Sequence, residues 1–102
     1  MKKLISDTEE IAFNYLKAFN FKDEQIKQLI IQGKKDLSKE LMKLKTVLQD
    51  DELSYDNINN ILHALKGLLF QLGNHEAAER LTEIRSHLDN EETLKELTLL
   101  CR

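Results

Sequence analysis

Apolar side chains recur every three or four positions along most of this 102-residue chain, with polar residues between them. That spacing lines one face of an amphipathic helix. A first segment reads from about Asp7 to Phe19, with Thr8, Ala12, Tyr15, Leu16 and Phe19 on its stripe. Ser6 or Asp7 can cap it, and Glu9 and Glu10 suit the positive end of the helix dipole. A second reads from Asp23 to Leu48 through Ile26, Leu29, Ile30, Gly33, Leu37, Leu41, Leu44 and Leu48. Gly33 costs up to about 1 kcal/mol against alanine inside a helix, so it predicts a kink or a close helix approach. Residues 49–54 form an acidic loop in which Ser54 is a good cap for a third segment, Tyr55 to Leu72. Gly73 and Asn74 then read as a stop. A fourth segment, His75 to Leu88, carries Ala77, Ala78, Leu81, Ile84 and Leu88. Residues 89–92 (Asp-Asn-Glu-Glu) read as a capping box for a fifth, Glu91 to Leu100. The expected fold is all-α: one domain over residues 1–102, an antiparallel four-helix bundle with an additional short helix.

Composition narrows the class further. Proline is absent and glycine occurs three times, too little turn chemistry for a β-sandwich or barrel. Hydrophobic residues make up 41% and charged residues 32%, which is too apolar for a disordered chain. The single cysteine, Cys101, makes no internal disulfide and no thiolate metal site, as expected in a reducing compartment. Residues 1–5 start like a signal peptide, but Asp7, Glu9 and Glu10 follow where an apolar run would be needed. No stretch approaches the roughly 18 apolar residues of a membrane span. A cytoplasmic protein that does not contact membrane is expected.

The net charge of -3 is unevenly spread. Residues 22–48 carry seven lysines against four acids, and residues 49–102 carry eleven acids against five bases. A nucleic-acid partner would call for a stronger basic face. Two charged halves packing as neighbours is the simpler expectation. The three histidines, His63, His75 and His87, lie twelve residues apart, which is not a metal-ligand spacing on a helix, and no metal site is expected. His75-Glu76 reads as a helix-start pair and His87 as a surface residue near a helix end. Phe13, Tyr15, Phe19 and Phe21 read as core or core edge. Asn59, Asn60, Gln71 and Asn74 read as solvated.

The third segment has an odd outer face. Set at about 100° per residue from Leu65, the residues Ile58, Ile61, Leu62, Leu68, Leu69 and Leu72 fall within roughly 60° of the core direction. His63 falls at roughly 160°, almost opposite the core, with Gly67 near -160°, Phe70 near 140°, Asn60 near -140° and Lys66 near 100°. An imidazole thus stands on the water side of a core helix. A lysine lies three residues on, and one turn on the side chain beside the ring is deleted. A glycine on the exposed face of a helix costs stability and serves no core. Close approach by another molecule is a physical reason for it.

His63-Ala64-Leu65-Lys66-Gly67, followed by Gly73 ten residues after the histidine, resembles the signature of histidine phosphotransfer (HPt) domains. The surrounding helices match that resemblance over most of the chain. It implies that His63 accepts a phosphoryl group from an aspartyl phosphate and passes it to another, with Lys66 holding the charge and Gly67 leaving room for a partner's rim. The implied partners are a response-regulator receiver domain or a hybrid sensor histidine kinase, with Asn59, Asn60, Gln71 and Phe70 on the docking face. No cofactor is implied on this chain, since the magnesium would belong to the receiver, and a monomer is expected. The family usually has small residues after the Lys-Gly pair, whereas this chain has Leu68-Leu69-Phe70. Phe70 therefore either meets a partner or packs beneath the first segment. No nucleotide-binding glycine pattern is present, so the expectation is a phosphocarrier and not an enzyme. The alternative is a helical interaction module, or a degenerate HPt domain that binds receivers without carrying phosphate.

Overall fold

A computed structural model describes residues 2–102; Met1, where the signal-like start begins, lies outside the described residues. Among the described residues there are five α-helices and no strand: α1 Lys2–Ala18, α2 Asp23–Leu48, α3 Tyr55–Gln71, α4 His75–Arg85 and α5 Glu91–Leu100. The molecule measures 46 × 21 × 20 Å. The 26-residue α2 spans about 39 Å at 1.5 Å per residue, so it sets most of the long dimension. Helices α1 and α2, α2 and α3, and α3 and α4 pack against each other in turn.

The core is built from most of the positions on the stripes read from the sequence. Ile26, Leu37, Leu41 and Leu44 of α2 meet Ile58, Leu62, Leu65 and Leu69 of α3, and all eight are fully buried. Ala12 and Leu16 of α1, Ala78, Leu81 and Ile84 of α4, and Leu97 of α5 complete it. Each fully buried leucine or isoleucine contributes about 1.5–3 kcal/mol. Helix α2 runs unbroken through Gly33. The residue is buried, and a Cβ there would lie 2.8 Å from Leu72 Cδ1, so the glycine admits the Leu72 side chain at the end of α3. Cys101 is a free thiol buried at the end of α5, and burial holds its pKa above the ordinary thiol value.

Several expectations are corrected. Helix α1 begins at Lys2, so Ser6 and Asp7 lie inside it and do not cap it. Leu4 and Ile5 pack against the core and extend the stripe back by a turn. Leu4 lines an apolar cavity with Leu69, Leu81, Ile84 and Leu100. At its other end α1 stops at Ala18, and Asn20 turns the chain with φ 66°. Phe19 is 60% exposed, and Phe13, Phe21 and Leu29 are also exposed, so these belong to the surface and not the core. Helix α4 ends at Arg85, three residues early, because residues 86–89 turn away to reach α5. The cap of α5 is Asn90, whose side chain accepts from the Glu92 backbone N–H at 2.9 Å.

Asn74 is no solvated residue. It is 5% exposed. Its side-chain oxygen accepts from the Ala77 N–H at the start of α4, and its amide donates to Thr8 Oγ1 at 2.8 Å. One side chain thus caps α4 and ties it to α1 inside the core. Gly73 beside it has φ +83°, and a Cβ there would run into the Tyr15 ring. Left-handed backbone and close packing both require glycine at this position. The ion pairs between different helices join Lys34 to Glu9 and Arg80 to Glu96. Helices α2 and α3, which join the basic and the acidic halves, pack through the apolar residues of the core.

Candidate functional site

His63 lies in the middle of α3, exposed, on the face turned away from Leu62 and Leu65. Helix α3 is fixed at both ends. Ser54 accepts from the Asn57 N–H at its start, and the turn at residues 72–74 closes it. Four core residues hold the opposite face at zero exposure. The imidazole is therefore carried on a rigid element.

Its nearest polar partner comes from another helix. Arg85, the last residue of α4, places Nη1 3.3 Å from His63 Nδ1, and its Nε donates to Asn59 Oδ1 at 2.8 Å. Asn59 is half-buried and lies one turn before His63 on α3, so it is a bonded member of the site and not simply solvated. Arg85 went unforeseen from the sequence, yet a signal for it exists. Helices α3 and α4 are joined by residues 72–74 alone. With the same rise per residue, positions equally far from that turn lie side by side. His63 is ten residues before Gly73 and Arg85 eleven after Asn74.

Lys66 is half-buried one turn beyond His63. Neither Lys66 nor Arg85 appears in an ion pair with a carboxylate among the described residues. The ring thus has one cation against it and a second one turn along the same helix. Gly67 is exposed, and a Cβ built on it would meet no atom within 4 Å. Of the three glycines, Gly33 and Gly73 are explained by Leu72, Tyr15 and a left-handed backbone. Gly67 serves no packing within the chain.

The remaining positions spread over a wider area. Phe70 is 38% exposed, with its ring 5.5 Å from that of His75. His75 also meets Tyr15, and Tyr15 meets Phe19. Phe70 therefore does not fill the core beneath α1. It ends a row of rings that runs from α3 across the start of α4 to α1. His75 is part of that row and more than a helix-start residue. Asn60 is exposed and borders a groove toward Lys39, Met42 and Thr46 of α2. Gln71 is exposed at the end of α3, two turns from His63. His63, Asn59 and Arg85 are brought into contact, and Lys66 and Gly67 share their neighbourhood; Asn60, Phe70 and Gln71 lie around it.

An imidazole with one cation against it, a second one turn along its helix and open space at the neighbouring glycine has the parts needed to take up a dianionic group. Imidazole supplies a nucleophilic nitrogen, and the cations offset the arriving charge. No group of three or more His, Cys, Asp or Glu among the described residues is placed to hold a metal. Among the described residues, no helix is long and apolar enough to cross a membrane. Compared with known proteins, the chain matches no family model, no curated protein and no solved structure.

Proposed function

We propose that this chain is a histidine phosphotransfer module, which accepts a phosphoryl group on His63 from a receiver-domain aspartate and donates it to another. In this reading the five helices form an antiparallel four-helix bundle with a short fifth helix, and the protein works as a cytoplasmic monomer. Its partners are a response-regulator receiver or a hybrid sensor histidine kinase. The observation that carries the reading is the exposed His63 beside Gly67, where nothing lies within 4 Å of a Cβ, with Arg85 against the ring and Lys66 one turn along, neither paired with a carboxylate among the described residues.

The chemistry follows from those parts. Arg85 lies against Nδ1, so the attacking nitrogen is Nε2, which carries a lone pair once the ring proton sits on Nδ1. Its lone pair forms a bond to phosphorus as the bond to the aspartyl oxygen breaks, and that electron pair leaves with the receiver's carboxylate. Phosphoryl transfer of this kind depends on alignment and charge neutralisation more than on acid–base groups. Lys66 supplies a cation one turn from the ring, worth about 1 kcal/mol while water screens it and more once a partner excludes water. Gly67 gives the receiver's active-site rim its clearance. The metal ion and the carboxylates that hold it belong to the receiver.

Incubation with a radiolabelled phospho-receiver tests this. Label should pass to the wild-type chain, with the acid lability of a phosphohistidine, and should be lost in His63→Gln. Receiver binding without label would instead support the interaction-module alternative. Equal labelling of His63→Gln would refute His63 as the acceptor.

A further inference from the structure

The sense of the hydrogen bond at His63 is fixed by its partner. A guanidinium has five N–H donors, no acceptor, and a permanent charge. Arg85 Nη1, 3.3 Å from His63 Nδ1, can only donate, so Nδ1 offers its lone pair. In the neutral ring the one proton then sits on Nε2. Attack from Nε2 needs the opposite arrangement, with the lone pair on Nε2 and the proton on Nδ1. A proton on Nδ1 would point at a donor. The resting contact and the nucleophilic tautomer exclude each other.

Resting on the phosphocarrier reading, we propose that Arg85 is a latch on the nucleophile: it holds His63 in the Nε2–H form and must leave Nδ1 before Nε2 can take a phosphoryl group. Its departure also frees Asn59, whose side-chain oxygen accepts from Arg85 Nε at 2.8 Å. Asn59 and His63 stand four residues apart on one helix, the spacing at which side chains meet, so that oxygen becomes available to Nδ1–H. The arriving dianion supplies the pull, because its oxygens match the planar guanidinium fork better than a single ring nitrogen does. The step balances. The ring gives its Nε2 proton to water and takes one from water at Nδ1. The Nε2 lone pair forms the N–P bond, and the aspartyl carboxylate leaves with the P–O pair. The Nδ1 proton stays on the ring, held by Asn59. Arg85 acts through the tautomer of His63 and is a positioning residue.

Two measurements on the full chain test the latch. In the first, with histidines labelled by nitrogen-15 and no receiver present, Arg85→Ala should move the His63 Nδ1 resonance toward that of an unbonded lone pair, leaving His75 and His87 in place. An unmoved resonance overturns the proposal. In the second, phosphoryl uptake is followed against receiver concentration. Arg85→Ala should raise the rate at saturating receiver by about 2- to 5-fold, the factor for giving up one exposed hydrogen bond. The concentration for half-saturation should rise as a cation is lost. Arg85→Met, which keeps the aliphatic stem, should behave alike and guards against lost packing. Asn59→Ala should slow uptake at saturation. An unchanged or lower saturating rate in both Arg85 variants overturns the latch, while uptake itself preserves the carrier reading. Absence of uptake in the wild type and every variant, with the resonance still displaced, would end the carrier reading and the latch with it, leaving only the contact.

Discussion

Replacing Gly67 with alanine should make this protein more stable and its proposed transfer slower. Glycine in a helix interior costs about 1 kcal/mol against alanine. Part of that is the extra freedom glycine gives the unfolded chain. The gain is realised only where the new methyl meets nothing, and at Gly67 no atom lies within 4 Å of the Cβ position. Gly67→Ala should therefore stabilise by about 0.5–1 kcal/mol, a rise in Tm of about 2–8 °C for a chain of this size. Thermal melts followed by circular dichroism read this directly. The two other glycines are internal controls. Gly73→Ala should destabilise, because φ is +83° and the methyl would enter the Tyr15 ring. Gly33→Ala must displace Leu72 Cδ1 from 2.8 Å and should show no gain. Uptake from a phospho-receiver should then fall in Gly67→Ala and be abolished in Gly67→Gln, where the added bulk fills the clearance. A destabilised Gly67→Ala would mean that this face is not open. A stable Gly67→Gln that still takes label at the wild-type rate would refute clearance as the reason for the glycine.

Other outcomes follow from the same packing. Asn74→Ala removes the cap of α4 and the partner of buried Thr8, and should cost about 2–4 kcal/mol in denaturant titrations. Phe70→Ala should cost about 1–2 kcal/mol, less than the roughly 3–5 kcal/mol of a buried phenylalanine, because the ring is 38% exposed; receiver affinity should fall in the same variant. Burial raises the Cys101 thiol pKa, so the unfolded chain loses that proton first as pH rises. Stability should be full below the ordinary thiol pKa and decline above it. In Cys101→Ala that part of the alkaline slope should vanish from melts taken across pH.

The elements with the clearest periodicity were legible from sequence. Helix α2 has the limits its leucine stripe indicates, and α3 starts after Ser54 because that hydroxyl caps it. The start of α1 was hidden because Leu4 and Ile5 precede an acidic run that looks like a first turn. Leu4 packs beside residues of α4 and α5, which local spacing does not report. The phenylalanines in and just after α1 are misplaced for a related reason. Thr8, Ala12 and Leu16 already fill the buried face, which leaves Phe13 and Phe19 to solvent despite their size. At the candidate site, the outward position of His63 and the gap at Gly67 follow from helix geometry alone. Arg85 does not. Its place beside His63 emerges only when α4 is folded back along α3.

The central claim is that His63 is the phosphoryl acceptor of this chain. Mapping phosphate by mass spectrometry under alkaline conditions, after brief exposure to a phospho-receiver, tests it most directly. Phosphate on His63, and on neither His75 nor His87, is the predicted result; an unmodified chain, or phosphate on one of the other two histidines, would contradict it.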